Sequence, residues 1–172
     1  MGKTTLCRIT KDGKPMMSDK EIEIISRLVE IGKYERCLEW GSGNSTIYFS
    51  HKHGCIKSWI AIEHNGHCIE PLKNKIKDNT YIVWETEKND YVGVGKWGRF
   101  DFILIDGEYR KQCLEIALKI INKDGVILLH DSGREEYQDF IKEYGGEELC
   151  EGEHPINGFY AHRGLTLFKK TQ

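Results

Sequence analysis

The sequence of 172 residues has little net charge, no long apolar run and no paired cysteine motif. Its 25 basic and 27 acidic residues are mixed along the chain, so composition gives no indication of a nucleic-acid or membrane partner. No apolar stretch approaches the roughly 20 residues that span a bilayer, and the first residues show no signal-peptide pattern. The six cysteines include no C-x-x-C pair, which is typical of a chain kept reduced inside the cell. We therefore expect a cytoplasmic protein.

What the sequence does contain is an alternation of short apolar strands with amphipathic helices. A chain of this length can bury one core. We predict a 1–17 N-terminal arm and an 18–172 domain, with strands near 37–39, 59–63, 81–84, 100–105, 125–129, 148–150 and 165–168. Such alternation predicts a single Rossmann-like, doubly wound, mostly parallel seven-stranded α/β sheet with helices on both faces.

Helix signals are clearest near the start of the domain. Ser18 and Glu21 form a capping-box pattern that opens the first helix. Further helices are predicted over 44–53, 67–77, 115–122 and 134–144, and the polar segments 85–98 and 152–164 are predicted as loops. Pro71 fits its helix only if it lies in the first turn, because proline lacks the N–H that the helix interior needs.

The segment R-C-L-E-W-G-S-G-N-S-T, residues 36–46, joins a strand to a helix through a glycine turn. Glycine permits positive φ and lets the backbone approach a ligand closely. The helix start presents free N–H groups and the positive end of its dipole. This order predicts a nucleotide-type binding site, whose candidate residues are Glu39, Gly41, Gly43, Asn44, Ser45 and Thr46.

The acid before the glycines discriminates between nucleotides. A dinucleotide turn has the pattern G-x-G-x-x-G, but Thr46 stands at the third glycine position, and the Glu39 carboxylate would repel a pyrophosphate. It suits a ligand with an ammonium group, such as S-adenosylmethionine. Glu63, at the end of the second strand, is placed to bind ribose hydroxyls. NAD sites share that acid, so a NAD-dependent oxidoreductase remains the alternative.

Polar residues follow the other central strands as well. In open parallel sheets, ligands bind at the carboxyl ends of the strands, near the point where strand order reverses. The chain places acids or histidine at four such ends, namely Glu39, Glu63, Asp106 and His130-Asp131. We therefore expect these side chains to line one edge of the sheet.

The motifs E-W-G-S-G-N-S-T, I-E-H-N and F-I-L-I-D-G resemble those of the class I S-adenosylmethionine-dependent methyltransferases, from about residue 20 to the end. The resemblance implies that Glu39, Gly41 and Gly43 contact the methionine part of the cofactor. It implies that Asn44 to Thr46 open the helix beneath, that Glu63 holds the ribose, and that His64 lies beside the adenine. A catalytically silent S-adenosylmethionine-binding domain is the second alternative.

The motifs I-D-G-E-Y-R and L-L-H-D, at 105–110 and 128–131, are similar to those of a subset that methylates sugar or polysaccharide hydroxyls. This implies O-methylation of a sugar, glycan or other small polar acceptor, with Asp106, His130 and Asp131 as catalytic residues. In part of that subset acids at these ends hold a divalent cation, so Asp106 and Asp131 are candidate Mg²⁺ ligands. His130 replaces an acid of that pair and is interpreted as general base, metal ligand or core residue.

Residues near these strand ends are candidates for substrate contact. Arg110 would bind an acidic group such as a uronate, or pair with Glu108; for Arg134, pairing with Glu135 is favoured. Phe159 and Tyr160 are interpreted as substrate walls or as hydrophobic cover for the sheet edge. With only two long loops to cover the site, the sequence favours a large acceptor such as a glycan end, or a homodimer whose neighbour closes the pocket.

Overall fold

Seven strands form one sheet in the computed structural model, which describes residues 9–10, 13–151 and 164–170, without the side chains of 95 and 96. The strands are β1 (Arg36–Trp40), β2 (Ser58–Glu63), β3 (Thr80–Trp84), β4 (Phe100–Ile105), β5 (Ile121–His130), β6 (Glu147–Cys150) and β7 (Leu165–Phe168). Their order is β3-β2-β1-β4-β5-β7-β6. The first five run parallel, while β7 is antiparallel to both β5 and β6. The predicted fold class is confirmed.

Helices cover both faces of the sheet, as expected for parallel strands joined by crossover connections. They are α1 (Asp19–Gly32), α2 (Asn44–Lys52), α3 (Gly66–Lys73), α4 (Lys88–Val92), α5 (Arg110–Ile120) and α6 (Gln138–Glu143). The capping box of Ser18 and Glu21 that opens α1 is present as predicted. In the part of the chain that the structure describes, no helix combines the length and apolarity needed to cross a membrane.

Strand β1 shows how the sheet divides the core. Leu38 and Trp40 pack in the cluster that includes α5, whereas Cys37 packs with α1 and α2 on the other face. Successive side chains of a strand point to opposite faces. Glu39 therefore points toward α2 from the middle of a buried sheet, where a carboxylate needs polar partners.

The predicted loop over 85–98 is wrong, because it contains α4 and a short 3₁₀ helix, Val94–Trp97. Tyr91 in α4 is fully buried, and its carbonyl accepts a hydrogen bond from Trp40 Nε1 at 2.8 Å. The contact joins residues 51 positions apart. A local sequence pattern does not contain that information.

Three helix predictions need correction at their bounds. The helix predicted over 115–122 is α5, which begins at Arg110 and ends at Ile120, so residues 121 and 122 belong to β5 instead. Helix α3 ends at Lys73, and Pro71 lies in its second turn, where the proline nitrogen cannot donate to the carbonyl four residues earlier. The helix predicted over 134–144 begins instead as a 3₁₀ turn, Glu135–Tyr137, and becomes α-helical only at Gln138.

The strand order reverses between β1 and β4, because the chain leaves β1 toward β2 and leaves β4 toward β5. The two turns that follow these strands touch there. Gly41 has φ +92°, and a Cβ on it would lie 2.8 Å from Gly107 Cα. A Cβ on Gly107 would meet the Tyr91 hydroxyl at 2.0 Å. Glycine is therefore required at both turns for the strand ends to come together.

Candidate functional site

The glycine turn contains two glycines, and only the first of them is required by close packing. Gly41 packs on Gly107, as described above. Gly43 has extended backbone, with φ 177°, and a Cβ added to it would meet nothing within 4 Å. Open space beside Gly43, at the start of α2, is a cradle that a side chain would fill.

Glu39 is fully buried behind this turn. Its carboxylate accepts hydrogen bonds from the hydroxyls of Ser45 and Thr46, the latter at 2.7 Å, and from Trp59 Nε1 at 2.8 Å. Burial raises the pKa of Glu39 to about 7, although these three donors oppose the shift. Asp106 raises it further through like charge. All three donors are neutral, so ionised Glu39 keeps its charge without a cation beside it.

The first turn of α2 is tied to Glu39 and to the N-terminal arm. Thr46 Oγ1 also accepts from the Gly43 N–H at 3.0 Å, which closes the turn around Glu39. Asn44 is buried, and its Nδ2 donates to Lys14 O at 2.8 Å and to Thr10 Oγ1. Predicted as cofactor-binding residues, Asn44, Ser45 and Thr46 here hold the turn in place.

Glu63 ends β2 next to the same turn and is 3% exposed. One oxygen accepts from both the N–H and the hydroxyl of Ser42, each at 2.8 Å, and the other accepts from Asn65 N–H at 2.8 Å. A carboxylate has about four acceptor positions, so a ligand hydroxyl can be added here or can replace Ser42 Oγ. His64 lies beside it, half-exposed, with Nδ1 3.3 Å from Glu63 Oε1.

Across the switch point, the ends of β4 and β5 carry an ionic cluster, defined here as Glu21, Asp106, Arg110, His130, Asp131 and Arg134. His130 is its centre and is 3% exposed. Its Nδ1 lies 2.8 Å from Asp106 Oδ1, and its Nε2 lies 3.5 Å from Glu21 Oε1.

The charge state of His130 follows from these two carboxylates. Burial by itself lowers the pKa of His130, but the charge and hydrogen bond of Asp106, together with Glu21, raise it to about 10. Burial would raise the pKa of Glu21, which His130 and the Ser18 donors instead hold below its ordinary value. His130 is therefore an imidazolium at neutral pH and has no lone pair with which to accept a proton.

Arg110, the first residue of α5, is 7% exposed and fully engaged within the protein. Its Nε donates to Gly107 O at 2.9 Å, and its Nη1 donates to His130 O. Its Nη2 donates to both the carbonyl and the Oδ1 of Asp106 at 3.3 Å, and lies 3.6 Å from Asp131 Oδ2. Glu108 was predicted as the intramolecular partner of Arg110, but in the structure Arg110 pairs with Asp106 and Asp131.

Asp131 completes the cluster from a left-handed backbone position, φ 55°. Burial would raise its pKa, but His130, Arg110 and Arg134 hold it below the ordinary value. Arg134 pairs with Asp131 and more distantly with Glu136, not with Glu135 as expected. Tyr109, which precedes Arg110, is also left-handed, with φ 52°. Strained backbone at two neighbouring strand ends is typical of a functional site.

The predicted Mg²⁺ site does not fit this geometry. Asp106, His130 and Asp131 each offer a ligand atom, all within 4.8 Å of one another. However, a metal needs a neutral imidazole and free carboxylate oxygens. Here the Arg110 guanidinium lies against both carboxylates, with Nη2 3.3 Å from Asp106 Oδ1 and 3.6 Å from Asp131 Oδ2. The cluster already balances three carboxylates with three cationic side chains, so it presents no excess negative charge to a divalent ion.

The structure thus brings together most of the residues singled out in the sequence. Glu39, Glu63, Asp106 and His130-Asp131 all lie at strand ends beside the switch point. Phe159 and Tyr160 lie outside the described residues. Cofactor or substrate contact by any of the predicted residues stays a prediction.

Several residues of the site were not predicted. Glu21 had been assigned only to a capping box, yet its second oxygen faces His130 across the fold. Ser42 and Trp59 bind the two acids of the glycine-turn side through contacts 20 or 21 positions apart in the chain. Only the serine between the two glycines carries a sequence signal, because it must lie in the turn.

Comparisons with known structures agree with this fold. A precorrin-6y C5,15-methyltransferase from Geobacter metallireducens GS-15 is 16% identical, with 96% of this chain and 94% of that chain covered and a TM-score of 0.65. A cofactor-bound protein from MTB is 15% identical, with 92% and 84% covered and a TM-score of 0.68. A Streptococcus mutans protein in complex with SAH is 12% identical, with 90% and 100% covered and a TM-score of 0.60.

At these identities the likeness extends to the fold and no further. No family model and no curated protein matches the sequence.

Proposed function

We propose that this protein is an S-adenosylmethionine-dependent methyltransferase that acts on a hydroxyl group. The observation that carries the proposal is the pair of buried carboxylates, Glu39 and Glu63, on either side of the glycine turn. Among the described residues, neither has a lysine or arginine within 4 Å. Their negative charge suits a cationic ligand and opposes a pyrophosphate.

The residues present fit S-adenosylmethionine, and the structural neighbours include proteins bound to a cofactor and to SAH. Open space beside Gly43 would receive the methionine part, and Glu63 would accept the ribose hydroxyls. His64 and the exposed Trp84, whose Nε1 donates to His64 O at 3.3 Å, would flank the adenine. The bound cofactor supplies a methyl group on a sulfonium, which is already a good leaving group.

The chain's own contribution is to orient the acceptor and to receive its proton. Asp106 is the member of the ionic cluster suited to this task, because its side chain is 24% exposed and His130 and Arg110 hold it in place. A carboxylate is a weak base. A weak base is sufficient, since the acceptor oxygen becomes strongly acidic as the methyl group bonds to it. His130, already protonated, would position Asp106.

The acceptor is proposed to be a sugar, glycan or other small polar molecule. The resemblance of I-D-G-E-Y-R and L-L-H-D to sugar O-methyltransferases supports this class. Tyr109 is 40% exposed beside Asp106, and Lys88 Nζ lies 5.0 Å from the centre of its ring. An aromatic ring and an ammonium group at the rim would contact the face and the acidic substituents of a sugar.

Thermal shift and calorimetric titration test the donor assignment. We expect SAH to raise the melting temperature of the wild-type protein and NADH to leave it unchanged. Glu63→Gln should lower SAH affinity by roughly tenfold or more, because hydrogen bonds to a charged group contribute about 1.5–3 kcal/mol. Glu70→Gln is the matched control, since Glu70 is exposed and pairs only with Lys73.

Each result has a distinct meaning. If NADH raised the melting temperature and SAH did not, the protein would be an oxidoreductase and the proposed methyltransferase function would be wrong. Unchanged SAH affinity in Glu63→Gln would remove the ribose contact from the proposal. The whole proposal is supported if the protein binds SAH, transfers methyl groups to polar hydroxyl acceptors, and loses turnover in Asp106→Asn. SAH binding without turnover on any acceptor would indicate a silent binding domain.

A further inference from the structure

We propose that the Arg110 guanidinium is the resident cation of this site, occupying the place between Asp106 and Asp131 where a divalent ion would otherwise bind. The inference concerns the strand ends of the proposed active site. It rests on the ionic contacts there and not on the identity of the methyl donor.

Arg110 Nη2 lies between the carboxylates of Asp106 and Asp131. This nitrogen lies 3.3 Å from Asp106 Oδ1 and 3.6 Å from Asp131 Oδ2, so one positive group bridges two carboxylates from adjacent strand ends. A metal ion bridging the same pair would need both oxygens as ligands. The guanidinium and an ion cannot hold the same two oxygens at once.

Backbone carbonyls hold the Arg110 guanidinium in this position. Nε and Nη1 donate to the carbonyls of Gly107 and His130, which belong to the backbone directly after β4 and at the end of β5. The Arg110 side chain is 7% exposed, and its guanidinium carbon lies 5.7 Å from the centre of the Tyr137 ring. Four groups besides the two carboxylates, counting the Asp106 carbonyl, therefore hold the guanidinium where it is. Displacement by an ion would break these contacts and separate a buried guanidinium from the two carboxylates that balance its charge.

The positive charge of Arg110 is needed to balance the carboxylates at these two strand ends. With Arg110 in place, the carboxylates of Asp106 and Asp131 face two guanidinium groups, those of Arg110 and Arg134. Removing Arg110 leaves one uncompensated negative charge between two carboxylates. A hard divalent cation with oxygen ligands is the natural replacement.

The experiment compares Mn²⁺ binding and stability in wild-type protein and in Arg110→Ala. Free Mn²⁺ is measured by electron paramagnetic resonance, and melting temperatures are recorded in EDTA and in 1 mM MnCl₂ or MgCl₂, a concentration at the weak end of the roughly 10⁻⁴–10⁻³ M range of low-affinity protein sites. We expect the wild-type protein to show no binding and the same melting temperature in all three solutions. Arg110→Ala should melt about 10 °C lower in EDTA, because it leaves buried charges unpaired.

In Arg110→Ala, Mn²⁺ should bind at least about tenfold more tightly than to the wild-type protein and should restore part of the lost melting temperature. The double variant Arg110→Ala/Asp131→Asn should lose that binding, since one ligand is gone. Arg27→Ala is the control for removing an arginine, because Arg27 is exposed and, among the described residues, its ion pair is with Glu23.

Stoichiometric Mn²⁺ binding to the wild-type protein would overturn the proposal, as would an Arg110→Ala protein that folds and binds no ion. Should Arg110→Ala be recovered only in the presence of Mn²⁺, that recovery supports it. If the variant is insoluble in every solution, Arg110→Gln takes its place. SAH titration of the same samples is read separately, so loss of cofactor binding would count against the proposed function alone.

Discussion

The two sides of the switch point each hold a pair of carboxylates, in opposite electrostatic surroundings. On the glycine-turn side, Glu39 and Glu63 accept from hydroxyl, indole and backbone N–H donors. In the ionic cluster, Asp106 and Asp131 lie against an imidazolium and two guanidinium groups. The first side keeps a net negative charge when ionised, and the second is internally neutral.

The pKa values follow this difference. Burial raises the pKa of Glu39 to about 7, since neutral donors only partly replace water. Burial would also raise the pKa of Asp131, whose side chain is 17% exposed, yet its cationic neighbours lower that pKa. A charge held by neutral donors remains available to attract a ligand, whereas a charge paired inside the protein positions its neighbours. This difference supports the proposal that the first side attracts a cationic cofactor and that the second orients the acceptor.

The largest expected effect comes from breaking the neutrality of the ionic cluster. His130→Gln removes the cation between Asp106 and Glu21 and leaves the buried Glu21 carboxylate and the partly exposed Asp106 carboxylate facing a neutral amide. Leaving a buried charge without its partner costs about 3–5 kcal/mol, which corresponds to a melting temperature lower by about 10 °C in a chain of this size. Differential scanning calorimetry measures the change.

The control for that substitution is His67→Gln, because His67 is an exposed histidine in α3. It should change stability by less than about 0.5 kcal/mol. If His130→Gln were equally mild, the imidazolium would not be neutralising the cluster, and the contrast between the two sides would fail.

The second prediction tests the glycine-turn side through pH. A Glu39 pKa of about 7 in the folded protein, against a reference of 4.5, means that the folded state binds more protons between these values. Stability is therefore lost as pH rises from 4.5 to 7, by up to about 3 kcal/mol at 1.36 kcal/mol per pKa unit. Glu39→Gln removes this titration and can still bond to Ser45, Thr46 and Trp59.

The measurement is the melting-temperature difference between Glu39→Gln and wild-type protein at pH 5 and at pH 8. We expect the difference to shift in favour of the variant by about 8 °C at the higher pH. Glu70→Gln, on an exposed side chain, should show no such shift. A difference independent of pH would mean that Glu39 is ionised throughout, and that its donors offset its burial.

Much of this architecture could be predicted from the sequence because it is local or periodic. Apolar runs located the strands, and acids or glycines directly after them located the site at one sheet edge. Glu39 and Glu63 needed only their positions at strand ends. The capping box at Ser18 and Glu21 was likewise readable within four residues.

What could not be predicted depends on contacts between distant segments. The partner of a carboxylate is decided by which side chain the fold brings to it. The sequence therefore suggested Glu108 as the alternative to a substrate contact for Arg110, and not Asp106. The protonation of His130 depends on Glu21, which lies 109 positions earlier. The burial of Tyr91 similarly turned a predicted loop into a short helix. The candidate Mg²⁺ ligands Asp106 and Asp131 were visible in the sequence, whereas the Arg110 guanidinium that lies against both of them was not.

The smallest expected effect on stability comes from Gly43→Ala, and its contrast with Gly41→Ala sharpens the role of the turn between the two sides. Alanine at Gly41 must adopt φ +92° and approach the Gly107 backbone at 2.8 Å, so strain alone costs roughly 1–3 kcal/mol. Alanine at Gly43 has extended backbone and open space, so the stability of this variant should stay within about 0.5 kcal/mol of wild type.

The methyl group of Gly43→Ala would occupy the cradle proposed for the methionine part, and SAH affinity should fall by about tenfold, or roughly 1.4 kcal/mol. Calorimetric titration alongside thermal denaturation separates the two quantities. A Gly43→Ala protein with normal stability and normal SAH affinity would show that the open space is not where the cofactor binds, whereas lost affinity at unchanged stability places the ligand against the one glycine that the fold itself does not require.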